Sequence, residues 1–370
     1  MLSGLVSERA SLALHVEACR SVFAPIRRLP VELLAEIFEM GSSELLQLLN
    51  SDTPSRELDR VARRDLLELS QVSCYWHKIA IGTPKLWSQI ASKISLWGNS
   101  SASPNTYISL LASSLTRSGD HPLTIRIGIN SHDLEARPVL ELLSQHARRW
   151  QDVWLWADRD CGQYLASVRG NLPILKNLRL GHDLWDGVDI FEVAPALKSV
   201  LIAARTESVQ GRIPSLRIPW PQIRTFTFND LSGMFAATGL LLAQSLCIGA
   251  AFRFHLRGHV RDIPPVSPWP RFASDIESLT LQLGLDASPP VQKLALGQIF
   301  ESLTLPYLQC LTVVPKDENH SAPVWHQGNF SSFALRSSLH NHLTSLQLCV
   351  EITDKHLPRV SLITSVAWKT

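Results

Sequence analysis

Cysteine pairs, runs of one charge and an apolar leader are all missing from this chain of 370 residues. Its six cysteines, Cys19, Cys74, Cys161, Cys247, Cys310 and Cys349, lie far apart and form no C-x-x-C pair. That spacing suggests neither a disulfide framework nor a zinc site, and fits a reducing compartment. Charged residues make up 18% of the chain and the net charge is only +2, so no basic field exists to hold nucleic acid. The first 23 residues break their apolar positions with Glu8, Arg9, Glu17 and Arg20, which a secretory signal's continuous apolar core would not tolerate. The sequons at Asn99, Asn319 and Asn329 then read as chance matches.

Catalytic signatures are missing as well. No phosphate loop, no G-x-G-x-x-G after a strand, no G-x-S-x-G and no H-E-x-x-H occurs. The tripeptide His340, Asn341 and His342 looks nuclease-like, but without metal ligands elsewhere it reads as a turn. Asp158 and Asp160 read as loop residues, because nothing nearby would raise one carboxyl's pKa for acid–base work. The expectation is a chain that is no enzyme, with no cofactor and no metal. One uncharged stretch, residues 233 to 252, is about as long as a bilayer span. Gln244 and the glycines interrupt it, and the "FRFHLRG" that overlaps its end alternates like a strand, so a buried helix and strand are predicted and no membrane is expected.

What is present is an apolar fraction of 45%, arranged in two styles. Residues 8 to 23 predict an amphipathic helix with Leu12, His15, Val16 and Cys19 on one side, ended by Pro25. In "PIRRLPVELLAEIF" a new helix starts with Pro30 in its first turn. Val31, Leu33, Leu34, Ile37 and Phe38 occupy more than one stripe of it, too much apolar surface for one neighbour. Residues 40 to 65 turn polar and predict a loop or a loosely held helical insert, with Arg60, Arg63 and Arg64 among Glu57, Asp59 and Asp65 as a solvated face. "DLLELSQVSCYWHKIA" then resumes helical spacing through Leu66, Leu69, Val72, Trp76 and Ile79. In "GTPKLW", Thr83 is the expected N-cap, with Pro84 in the first turn and Leu86 and Trp87 following. Three short helices alone make a marginal core.

The blocks "LPVELLAEIF", "LSQVSCYWHKIA" and "GTPKLW", in this order, resemble the F-box of fungal F-box proteins. Ser73 and Cys74 depart from the usual Cys and basic residue after Val72, and His77 stands where Arg is common, while the apolar anchors are kept. The resemblance implies binding to an Skp-type adaptor and, through it, to a cullin-based ubiquitin ligase. It would set Leu29, Pro30, Leu33 and Ile37 at the adaptor surface, with Val72, Trp76, Leu86 and Trp87 anchoring the second half. The apolar excess would then be completed by the adaptor's helices, as in interfaces built like a divided core.

Beyond a Ser-rich connector at 98 to 104, a helix with Ile108, Leu111 and Leu115 precedes a strand in which Leu123, Ile125, Ile127 and Ile129 alternate. An L-x-x-L-x-L rhythm then recurs, and Val153, Leu178, Val200, Phe226, Leu279, Leu311 and Leu346 are equivalent positions, with one hidden unit near "FRFHL". Such intervals predict strands side by side in a parallel sheet, backed by helices such as one in "DLEARPVLELLSQHARRW". Fungal F-box proteins resemble this chain in carrying such repeats after the box, and in "HARRW" before a strand. Residues between the buried positions should face outward: Trp154, Trp156, Arg179, Thr227, Thr280, Thr312 and Gln347. Of these, Trp154, Trp156 and Arg179 are the expected target-binding residues.

The predicted fold is α+β: an N-terminal helix (1–24), a three-helix F-box (25–92), a connector and helix (93–120), and an irregular leucine-rich-repeat-like α/β solenoid with a parallel sheet (121–370). The expected function is the substrate-recognition subunit of an Skp-cullin-F-box type ubiquitin ligase, cytoplasmic or nuclear, holding an unidentified target protein. The alternative is a protein-binding repeat scaffold that does not act through a cullin ligase.

Overall fold

The computed structural model describes residues 8–9, 11–13, 15–16, 25–48, 68–93, 104–129, 136–181, 189–204, 216–230, 236–259, 269–286, 289–315, 322–352 and 360–367. The charged insert with Arg60, Arg63 and Arg64, the Ser-rich connector before residue 104, Cys19 and the sequons at Asn99 and Asn319 lie outside these. The described residues at 8–16 are helical and exposed. The chain divides into two compact units, residues 1–88 with 115–119, and residues 89–114 with 120–370.

In the first unit a 3-10 turn, Pro25–Arg28, leads into helix α1, Val31–Leu48. The Pro30 carbonyl accepts the first helical bond from the Leu34 amide at 3.1 Å, so Pro30 caps the helix one position before the expected first-turn site. Residues 40–48, expected as a loop or a loosely held helical insert, continue α1. Gly41 costs about 1 kcal/mol there, and the strong helix formers Glu44, Leu45, Leu46 and Leu48 outweigh it. The helix expected to run unbroken to Ala80 is divided: residues 68–71 are helical, and α2 restarts at Cys74–Gly82. Ser73 causes the break, since its extended backbone lets the hydroxyl accept the Trp76 amide at 3.1 Å as an N-cap. Helix α3, Pro84–Trp87, follows. Thr83 stands at its cap position without capping through its side chain; its hydroxyl donates to the Ile79 carbonyl at 2.8 Å.

The second unit is built on one sheet that, among the described residues, has eleven strands. They are β1 (Gln89–Lys93), β2 (Leu123–Ile129), β3 (Trp150–Ala157), β4 (Asn177–Gly181), β5 (Ser199–Ala204), β6 (Thr225–Asp230) and β7 (Ala251–His259), then β9 (Ser278–Asp286), β11 (Cys310–Pro315), β12 (Ser345–Ile352) and β13 (Val360–Ala367). Neighbours pair in chain order, all parallel except the last, where β13 runs antiparallel to β12. Short strands β8 (Phe272–Ala273) and β10 (Leu303–Thr304) form a separate parallel pair.

Register explains the sequence rhythm. Ile125, Val153, Leu178, Val200, Phe226, Phe252, Leu279, Leu311 and Leu346 stand opposite one another on successive strands. The seven residues equated in the sequence therefore occupy one row, and Phe252 of "FRFHL" supplies the unit missing from it. Stacking along the row is direct, with the Phe226 and Phe252 rings 5.3 Å apart. The leading leucine of each rhythm has its own cause. In "LPIL", "APAL", "WPQI" and "LPYL" a proline takes the second place of a turn, and the fourth residue, Leu175, Leu197, Ile223 or Leu308, is buried beneath the next strand. The turns extend the ladder: the Lys176, Arg224, Ala251, Gln309 and Thr344 amides each donate at 2.8 Å to a carbonyl just before or at the start of the preceding strand.

Helices cover the row of apolar residues. Helix α4, Pro104–Arg117, precedes β2. Helix α5, Ala136–Ser144, buries Ala136, Val139, Leu140 and Leu143. In "HARRW", the Arg149 guanidinium donates to the His121 carbonyl at 2.9 and 3.1 Å, pinning β3 to the start of β2. Burial, and then Arg149, hold the His146 imidazole below its ordinary pKa. Asp158, expected in a loop, caps the 3-10 stretch Arg159–Val168 by accepting the Cys161 amide. Residues 236–259 form helix α6, Ala236–Ala243, a turn at Gly249 with φ +87°, and β7. Among the described residues no helix is long and apolar enough to cross a membrane. Helix α7, Pro289–Ser302, ends in the grip of Arg336 on α8, Gln327–Arg336, whose Nη2 donates to the carbonyls of Phe300, Glu301 and Leu303 at 2.6 to 3.2 Å. His340, Asn341 and His342, expected as a turn, lie in the short helix α9, Leu339–His342, after Ser338 at φ 51°.

Two predictions follow from this packing. A Cβ on Gly239 of α6 would fall 2.5 Å from Phe228 Cδ1, so Gly239→Ala should cost about 1–3 kcal/mol in urea unfolding, partly recovered by Phe228→Leu. Because the folded chain favours neutral His146, the unfolded chain takes up the proton first as pH falls, and stability declines below the ordinary value of 6.5. His146→Gln should make the fall in thermal midpoint between about pH 7 and pH 5 shallower than in the unsubstituted chain.

Candidate functional site

Helix α1 divides its apolar residues between two faces. Leu34 and Phe38, one turn apart, are fully buried with Ile79, Ala80, Leu86 and Trp87. The Phe38 ring lies 5.0 Å from that of half-buried Trp76. Trp87 is fixed twice: its indole N–H donates to the Ala80 carbonyl at 2.7 Å, and the Arg117 guanidinium stands 4.4 Å from its ring centroid. A Lys85–Glu39 ion pair at 2.6 Å joins α3 to α1.

The adjoining face of α1 is uncovered. Leu33, Ile37 and Met40, at positions i, i+4 and i+7, are 47%, 45% and 63% exposed. Pro30 at the head of the helix is exposed too. Leu29 is half-buried against the core, and its carbonyl accepts a bond from the Tyr75 hydroxyl at 3.3 Å, which ties the segment before α1 to α2. Ile26, Val31, Val72 and Tyr75 add further exposed apolar surface. Covering a side chain that is about half exposed is worth roughly 1 kcal/mol. Such a surface is suited to packing another helix, not to holding a small ligand.

Of the eight residues expected at the adaptor surface, Pro30, Leu33, Ile37 and Val72 are exposed and Leu29 and Trp76 half-buried. Leu86 and Trp87 are corrected. At 4% and 6% exposed they are core residues of this unit, because a one-turn helix can cover α1 and α2 only by turning both side chains inward. Met40 and Tyr75 were not anticipated; Met40 falls on the Leu33–Ile37 spacing once α1 is known to pass Gly41, and Tyr75 sits next to a side chain that closes the core.

On the sheet, Arg126, Trp154, Arg179 and Leu201 form one row, and Gly128, Trp156, Gly181 and Ala203 the next. Trp154 and Trp156, expected as open target anchors, are 7% and 8% exposed. Glycines on both neighbouring strands leave room for Trp156 to lie down across β4, where a Cβ on Gly181 would meet its ring at 2.1 Å. The two indoles cluster with Ala203 and Leu201. Thr227 is buried too, which corrects its expected outward exposure, while Arg179 is half-exposed. Burial, and then the charge of Arg179, lower the Arg126 pKa, with Asp152 opposing them. Among the described residues no group of three His, Cys, Asp or Glu side chains is placed to hold a metal.

Residues 26–93 match the family model of the F-box-like domain. The match spans the core of Leu34, Phe38, Ile79, Leu86 and Trp87 together with the uncovered stripe. No curated protein matches the chain. The F-box-like domain thus pairs a closed core with an exposed face, and substitution should separate the two. Leu86→Ala should cost about 2–5 kcal/mol in urea unfolding, whereas Ile37→Ser, on the half-exposed face, should cost no more than about 1 kcal/mol.

Proposed function

We propose that this chain is the substrate-recognition subunit of an Skp-cullin-F-box type ubiquitin ligase. The F-box-like domain docks on an Skp-type adaptor, and the larger unit, read as an irregular leucine-rich-repeat-like solenoid, holds the target protein. The observation that carries this reading is the exposed stripe of Leu33 and Ile37 beside Pro30, within the residues that match the domain model. The adaptor would cover it and complete a second apolar layer over α1, as obligate interfaces do. Leu29, Val72 and Trp76 border the same contact, while Leu86 and Trp87 hold α3 in place behind it. Arg179 would meet the target, and Trp154 and Trp156 would act by shaping the sheet face. The chain would bind no nucleic acid and no membrane, and would work in the cytoplasm or nucleus.

In this role the chain needs no catalytic group and no cofactor, because bringing the target to the ligase supplies proximity and leaves bond chemistry to other subunits. Pull-down of a tagged adaptor tests the docking. Leu33→Asp with Ile37→Asp should lower recovery at least about tenfold, equivalent to roughly 1.4 kcal/mol, with Leu29→Asp and Pro30→Ala acting in the same direction. Undiminished recovery by the doubly substituted chain would overturn the assignment and favour a repeat scaffold that works outside a cullin ligase.

A further inference from the structure

Three turns at one end of the sheet repeat a pattern that packing does not require. "PILK" before β4, "PALK" before β5 and "PQIR" before β6 share P-x-[LI]-[KR] and end in Lys176, Lys198 and Arg224. The proline and the buried Leu175, Leu197 or Ile223 serve the turn, and the amide of the last residue donates to a carbonyl at the start of the preceding strand. The charged side chain contributes nothing to this. "PYLQ" before β11 makes the corresponding bond from the Gln309 amide at 2.8 Å and carries no charge at that position.

The three cations stand on consecutive rungs. The Lys198 amide donates to the Lys176 carbonyl at 3.0 Å and the Arg224 amide to the Lys198 carbonyl at 2.8 Å, so the outer two backbones are about 10 Å apart at ordinary strand spacing. All three residues are exposed, and among the described residues none of the three side chains has an ion-pair partner. The nearby carboxylates of Asp189 and Glu192 are held by Arg169 instead, at 2.8 and 3.1 Å. Along the ladder neutral Gln151 precedes Lys176, and Glu277 comes two rungs after Arg224, beyond Ala250. Like charges on neighbouring strands repel, a cost to the isolated chain that an anionic partner would offset. Exposed aliphatic side chains accompany the cations: Val193 in the turn before Lys198, and Ile248 beside Gly249, where an added Cβ would meet Arg224 Nη1 at 2.9 Å.

Charge and neighbours together select the occupant. Membrane-binding clusters carry about four to eight Lys or Arg, more than stand here. Single-stranded nucleic acids are held over aromatic rings as well as cations, whereas Val193 and Ile248 are aliphatic. An extended protein segment with acidic residues at alternate positions sets three carboxylates over about 13 Å, within reach of the ladder's long side chains, and leaves room for apolar residues among them.

We propose that Lys176, Lys198 and Arg224 dock an acidic segment of the target protein, with Val193 and Ile248 receiving apolar side chains beside it. The proposal rests on reading the larger unit as the target receptor and does not depend on adaptor docking.

The test presents the immobilised full chain with three peptide pools, random in sequence except for glutamate, glutamine or lysine fixed at three alternate central positions. The glutamate pool should be retained at least about tenfold over the glutamine pool, with the advantage shrinking as salt is raised. Joint substitution Lys176→Gln, Lys198→Gln and Arg224→Gln should abolish that advantage with the thermal midpoint unchanged, since Gln309 already fills the equivalent place. The corresponding triple substitution to Glu should shift retention to the lysine pool. Equal retention of the glutamate and glutamine pools by the unsubstituted chain overturns the proposal, and so does a glutamate preference that survives the triple Gln substitution. Phosphatidylserine vesicles or oligothymidylate retained more strongly than the glutamate pool, and lost with the triple Gln substitution, would assign the ladder to a membrane or a nucleic acid and overturn it too. Adaptor pull-down on the same samples keeps the two readings apart, since an absent glutamate preference with intact adaptor recovery counts against the ladder alone.

Discussion

The amino-terminal unit depends on a mismatch between the apolar surface of α1 and the protein available locally to cover it. Leu34 and Phe38 use up the core that α2 and α3 can supply. Leu33, Ile37 and Met40 are left on the next face. A single one-turn helix cannot cover both sides, and the ion pair of Lys85 with Glu39 and the hydrogen bond of Trp87 fix it on the closed one. An apolar face beside a rigid core would need little ordering on binding, so that most of what burial contributes would remain as affinity.

The larger unit solves the opposite problem. Each strand carries an apolar row that its successor extends, so every added strand covers its neighbour's edge and the core grows sideways without needing a new centre. Phe226 and Phe252 show the row in contact. Gly239 against Phe228 shows how closely the helices are set down on it. The opposite face carries polar and charged residues, Asp152, Asn177, Arg126 and Arg179, beside the buried indoles of Trp154 and Trp156.

Much of this was legible in the residues. Strand register followed from the L-x-x-L-x-L rhythm because a parallel sheet repeats one geometry at every strand, and the row from Val153 to Leu346 could be aligned by eye. The apolar excess of α1 was legible because its residues outnumber one stripe. Less visible were features decided by local competition. Ser73 divides a helix whose apolar spacing runs on unbroken, Gly41 fails to stop one, and Thr83 turns its hydroxyl back to Ile79 instead of forward to α3. Burial of Trp154 and Trp156 was hidden because alternation says which face a side chain leaves from, and not whether glycines on neighbouring strands let it lie flat. Arg126 and Arg179, which flank Trp154 in the register of the sheet, lie 53 positions apart and are related only through the pairing of three strands.

Amide hydrogen exchange on the full chain, alone and with the Skp-type adaptor, tests the central claim most directly. The account predicts slowed exchange in residues 26–41 and 72–76, where the uncovered face of α1 and the neighbouring start of α2 lie, with the strands of the sheet unchanged. Exchange unaltered across those residues, or slowed only within the sheet, would contradict it.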